Sequence, residues 1–187
     1  MRLTRPRSAA LIACAAAALA AAGCGSSTKG EPVREGLGVT VADLKYTVYI
    51  TRELNQHDAE DRGYYRGPEP GPGFTYYGVF VNVCNEKGGK FRTPVATDTL
   101  VVTDNQENEF KPLKVPADNV FAYRPRSLSK DACVPEGGSA AATGPTAGAL
   151  LIYKFPVQSL ENRPLILHIE GTNDKGELEK EEVKLDL

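Results

Sequence analysis

The densest set of chemistry-bearing side chains is His57, Asp58, Glu60 and Asp61, one imidazole and three carboxylates within five residues. Oxygen-rich sets of this kind hold a divalent cation when a loop wraps around it; without the wrapping they are a solvated loop tip. Asp104, Asn105, Glu107 and Asn108 offer further oxygens, but lack the spacing and central glycine of an EF-hand. Copper handling is disfavoured, because Met1 is the only methionine and Cu(I) carriers rely on soft sulfur ligands. Lys87-Gly88-Gly89-Lys90 is not a phosphate loop, since Phe91 stands where that motif needs Ser or Thr; a turn explains it. No G-x-S-x-G elbow occurs. Of the two histidines, His168 alternates out of phase with Leu167 and Ile169, as a sheet-surface residue does. The sequence therefore predicts no catalytic residues, no cofactor, and a metal only if His57, Asp58, Glu60 and Asp61 fold around one.

Binding is the class left standing. Tyr64 and Tyr65 lie between Arg62 and Arg66 in NQHDAEDRGYYRGPEPGPG, residues 55–73, a long loop rich in Gly, Pro and charge. Tyrosine and arginine are enriched where partners dock, and long loops often carry function. These four residues are the candidate binding set. The plainer alternative is that both rings fold back to cover an edge of the domain.

What must position these loops is a set of strands. Leu44, Tyr46, Val48 and Ile50 alternate against Lys45, Thr47, Tyr49 and Thr51, which predicts a half-buried strand. Phe74–Asn85 is the strongest strand, with Tyr77, Val79, Val81 and Val83 on its core face and Phe80, Asn82 and Cys84 opposite. Thr99–Thr103 and Glu109–Leu113 flank five polar residues, as in a hairpin. Residues 116–145 are irregular. Ala149–Phe155 is a strand ended by Pro156, and Val157–Arg163 has room for one helical turn. Leu165, Leu167 and Ile169 alternate, Asn173-Asp174-Lys175-Gly176 reads as a turn, and Val183, Leu185 and Leu187 share a face. The expected fold is all-β: an immunoglobulin-like antiparallel β-sandwich of about seven to eight strands, with a small closed barrel as the rival.

The first residues are of another kind. Arg2, Arg5 and Arg7 precede an uncharged, alanine-rich run from Ser8 to Ala22, about 15 residues and so short of the ~20 that span a membrane. A basic head, a short apolar core and a small-residue exit describe a secretory leader. Because Ala21-Ala22-Gly23 runs into Cys24, the segment resembles the lipobox of bacterial lipoproteins. That resemblance implies cleavage after residue 23, acylation of Cys24, and a lipid anchor on the outer face of the cytoplasmic membrane. Residues 24–37 then read as a flexible tether and 38–187 as the sandwich domain.

Without the three leader arginines the chain carries 19 basic and 24 acidic side chains, a net charge of −5. That argues against nucleic acid. Cys14 leaves with the leader and Cys24 takes lipid, so Cys84 and Cys133 remain, and in an oxidising compartment such a pair usually bridges. GVTVADLKYTV, TYYGVFVNVCN, DTLVVTDNQENEFKPL and GALLIYKFPVQSL resemble the small exported domains of unknown function that carry a telokin-like, immunoglobulin-type sandwich. The likeness spans about residues 38–170 and implies the fold and the exported location, but no catalytic residues. The long loop 55–73 and the cysteine pair depart from a minimal member. The expected role is display of loops 55–73 and 116–147 to a protein partner in the cell envelope. Sensing of a divalent cation or small solute is the alternative.

Overall fold

A computed structural model describes residues 30–187. The leader (1–23), the lipidation residue Cys24 and tether residues 25–29 lie outside the described residues. The strands are β1 (Val33–Arg34), β2 (Gly38–Val41), β3 (Leu44–Glu53), β4 (Phe74–Cys84), β5 (Val101–Thr103), β6 (Glu109–Phe110), β7 (Cys133–Val134), β8 (Ala149–Pro156), β9 (Leu165–Thr172) and β10 (Leu178–Leu185). Two single-turn helices accompany them, α1 (Asp61–Tyr64) and α2 (Ala140–Thr143). A 3-10 turn at Val157–Leu160 fills the place left for a helical turn.

One sheet runs β1-β10-β9-β5-β6; the other runs β2-β3-β4-β7, with β8 also paired to β4. Every pairing is antiparallel except β1 with β10. This is the all-β sandwich the alternation predicts, with no closed barrel among the described residues. Three of its strands, β1, β6 and β7, have only two residues.

The main core lies between the sheets. Tyr46, Val48, Val79, Val81 and Val83 of one meet Val102, Leu167, Ile169, Val183 and Leu185 of the other. Buried tyrosines also hold the connection before β5. Tyr46 Oη accepts from Val95 N at 2.9 Å, Tyr123 Oη donates to Val95 O at 2.9 Å, and Tyr153 Oη donates to Leu100 O at 2.9 Å. Burial pushes the Tyr46 phenol up to about 12, so these hydroxyls stay neutral hydrogen-bonding groups.

Three expectations are corrected. Ile50 is not on the core face: the β3–β4 register slips between Val48 and Ile50, so Ile50 pairs with Phe80 on the outer face and Thr51 turns inward in its place. A β-bulge inserts one residue and reverses the alternation beyond it.

The second correction concerns Phe80. It sits on the outer face, as the alternation predicts, yet it is fully buried. Leu54, Tyr64, Tyr65, Tyr76, Phe80, Leu150 and Ile152 form a second core over that face, joined by Leu113, Val115 and Phe121. β4 and β8 are thus covered on both sides, whereas β3 keeps Tyr49 and Ile50 exposed on that face.

The third correction shortens the tether. Glu31–Leu187 is one compact unit, and residues 31–37 belong to it. Val33 pairs with Val183, Gly36 N donates to Val48 O at 2.7 Å, and Glu35 accepts from Thr51 N at 3.0 Å and Asp186 N at 3.1 Å. Burial pushes the Glu35 carboxyl up, against the opposing pull of its bonds to Thr51 and Asp186.

A disulfide joins Cys84 to Cys133 across the β4–β7 pair. It fastens the long excursion from β4 to β7 at both its ends.

Candidate functional site

The loop 55–73 is built by its own polar side chains. Asn55 Oδ1 accepts from His57 N at 3.0 Å, and Asp58 Oδ1 accepts from Glu60 N at 2.7 Å; both are Asx turns. Asp61, buried, accepts from Asn55 N at 2.8 Å and pairs with Arg52 on β3, which also reaches Glu60 at 3.3 Å. His57 stands exposed, 3.7 Å from Glu69. The carboxylates read as possible metal ligands therefore fold the loop and tie it to β3. Among the described residues, no group of three or more His, Cys, Asp and Glu side chains is placed to hold a metal ion.

This turn aims Tyr64 and Tyr65 inward. Tyr64 is 2% and Tyr65 7% exposed. Tyr64 packs edge-to-face on Phe80 (5.2 Å between centroids) and Phe121 (4.8 Å), lies under the Arg52 guanidinium at 5.5 Å, and accepts from Thr146 N at 3.0 Å. Tyr65 meets Tyr76 edge-to-face at 5.2 Å, and a Cβ on Gly67 would collide with its ring. As candidate contact residues both tyrosines are corrected: their rings are core. The sequence alternative, rings folded back onto the sandwich, is the observed one.

The neighbouring arginines are different. Arg62 and Arg66 are exposed, and among the described residues neither guanidinium has an ion pair or hydrogen-bond partner. The second loop comes alongside: Asn119 Nδ2 donates to Tyr64 O at 2.7 Å, and Asn119 Oδ1 accepts from Phe121 N at 2.9 Å. Between the loops runs a groove of about 530 Å³, lined by Gly63, Arg66, Pro116, Asp118 and Val120 among others. It adjoins a hollow of about 540 Å³ with Gln56, Arg62 and Glu69 in its walls. Val120 at the groove is 66% exposed. The groove sets the Arg66 guanidinium with apolar Val120, and the adjoining hollow adds the guanidinium of Arg62.

Other candidates resolve structurally. Lys87 and Lys90 of the glycine turn pair with Asp43 (2.9 Å) and Asp174 (3.0 Å), and Arg92 bridges both acids at 3.1 and 2.9 Å. Hydrogen bonds from Lys87 and Lys90 hold those two carboxyls below the ordinary range. Asp104 accepts from Gln106 N, Asn108 N and Asn108 Nδ2 at 2.9, 3.0 and 2.9 Å, closing the β5–β6 loop. Burial raises its carboxyl, but those bonds outweigh burial and leave it lowered.

His168 contacts Thr103 Oγ1 at 2.8 Å through Nε2 and Glu182 at 3.5 Å through Nδ1, a row across β5, β9 and β10. The order resembles nucleophile, base and acid. The three side chains are half-buried and come from neighbouring strands of one sheet.

The geometry defines an all-β antiparallel sandwich with a groove built by the loops that cover the outer face of β4 and β8. No family model matches the chain, and no curated protein matches it. Among solved structures, the yjhA protein of Bacillus subtilis aligns with a TM-score of 0.53 and 11% identity, over 82% of this chain and 99% of that one. ycdA, a lipoprotein candidate of Bacillus subtilis subsp. subtilis str. 168, aligns at 0.46 and 8% identity, over 79% of this chain and 38% of its own. The first likeness is one of fold alone; the second is too distant to carry an argument. Among the described residues no helix is long and apolar enough to cross a membrane.

Proposed function

We propose that the chain is an exported lipoprotein whose sandwich is a non-catalytic binding module for a protein of the cell envelope. Cys24 carries the lipid, a short tether precedes Glu31, and the groove between residues 63–67 and 116–121 receives a segment of the partner. The observation that supports this most is two arginines whose guanidiniums have no partner among the described residues, Arg66 in the groove with exposed Val120 and Arg62 in the adjoining hollow. On a chain of net negative charge, two free guanidiniums are suited to acidic side chains or a terminal carboxylate, which they bind in fork geometry. A desolvated apolar contact ringed by arginine is a common form of interaction hot spot. Sensing of a divalent cation or a small solute is the alternative reading; Asp58 and Asp61 bond within the loop and to β3.

The test is crosslinking capture from intact cells, comparing wild type with Arg62→Glu/Arg66→Glu. One specific envelope protein should be captured by wild type and lost in the double variant, with an unchanged melting temperature. The same partners in both would move the site elsewhere. For the anchor, Cys24→Ala should shift the protein from the membrane pellet to the soluble fraction; a variant that still pellets sinks that half of the reading. Durable anchoring is expected because two or more acyl chains, at ~0.8 kcal/mol per buried methylene, hold where one does not.

A further inference from the structure

The β3 bulge does more than reverse the alternation. It leaves Tyr49 and Ile50 side by side on the outer face, 46% and 42% exposed, the only adjacent pair among the exposed large apolar side chains of the described residues. Tyr49 forms one wall of a groove of about 610 Å³, separate from the one already described. The volume falls in the ~300–1,000 Å³ range of small-molecule sites. Polar groups of both kinds face it. Arg126, held by its bond to Cys133 O at 3.0 Å, is a donor, and Ser129 offers a hydroxyl. Asn82 spends its amide N–H on Cys84 Sγ at 3.1 Å, which leaves its carbonyl oxygen as an acceptor, and Asp131 brings a carboxylate with no side-chain partner among the described residues. Glu136, 3.8 Å from Arg126, offsets the guanidinium charge. Bulges are over-represented where a side chain is re-aimed toward a site.

We propose that this groove is a carbohydrate site, with one pyranose ring of a glycan stacked on Tyr49 and its hydroxyls shared among Asn82, Arg126, Ser129 and Asp131. A sugar hydroxyl both donates and accepts, so it suits a wall of mixed donors and acceptors better than a purely anionic or purely apolar ligand does. Its C–H face is apolar and lies flat on an aromatic ring whose face is negative. The disulfide at Cys133 and the β3–β4 pairs at Val48 and Ile50 on either side of Tyr49 limit movement of the platform, which lowers the ordering cost of binding.

The experiment uses the full-length protein in a detergent without a sugar headgroup, on an array of neutral and N-acetylated pyranose oligosaccharides. Wild type should retain at least one of them. Tyr49→Ala should weaken that binding at least ten-fold, Tyr49→Phe should keep it within about three-fold, and Asn82→Ala should also weaken it. Melting temperature serves as the folding control, with Asn82→Ala deciding if Tyr49→Ala does not fold. No oligosaccharide retained by wild type, or equal retention by the variants, overturns the proposal.

Discussion

Replacing Tyr64 by alanine tests whether the loop 55–73 is core or contact surface. The ring is 2% exposed and packs on Phe80 and Phe121 at 5.2 and 4.8 Å. Truncating a buried aromatic to alanine removes its transfer free energy and leaves a cavity, together about 3–5 kcal/mol. For a domain of this length each kcal/mol moves Tm by roughly 2–4 °C, so the expected fall is about 6–20 °C. Tyr64→Phe keeps the ring and removes only the acceptor for Thr146 N; a lost bond that strands a donor costs about 1–3 kcal/mol. Urea unfolding at neutral pH, followed by tyrosine fluorescence and circular dichroism, measures both. A cost below about 1 kcal/mol for Tyr64→Ala, or equal costs for the two variants, would refute the packing argument.

Cys84→Ser/Cys133→Ser opens a closure between residues 49 apart; the chain-entropy model puts the loss near 4 kcal/mol, read as a lower urea midpoint. Two alkylatable thiols in unreduced, unfolded wild type would rule the bridge out. The lowered carboxyl of Asp104 contributes stability that is present above the ordinary aspartate value of about 3.9 and lost as pH falls through its folded value. Asp104→Asn should therefore be less stable than wild type at pH 7, with the gap closing in acid; a gap constant with pH would remove Asp104 as its source.

Period-two patterning reveals a strand when one face meets the core and the other meets water; β9 and β10 obeyed it, and β3 did so as far as Val48. In β4 and β8 the runs TYYGVFV and ALLIYKF are nearly unbroken, because loops bury the second face as well. That continuity was the available sign of a second core, and adjacent Tyr64 and Tyr65 in a polar loop were the sign of what covers it. The bulge at Tyr49 left no mark, since no glycine accompanies it. β1 is too short for any period to show, and Glu35 acts through a carboxylate that composition alone assigns to a tether. Arg62 and Arg66 were legible as residues; their lack of partners was not.

The covered outer face has a consequence for descent. Loop 55–73, loop 113–121 and the outward residues of β4 and β8 pack as one cluster, although they lie far apart in the chain, so they should change together. A relative that shortened either loop would bare Tyr76, Phe80 and Ile152 as an adhesive patch, and such patches draw chains together. Lineages with the short loop should therefore carry polar residues at those three strand positions, and lineages with the long loop should keep them apolar.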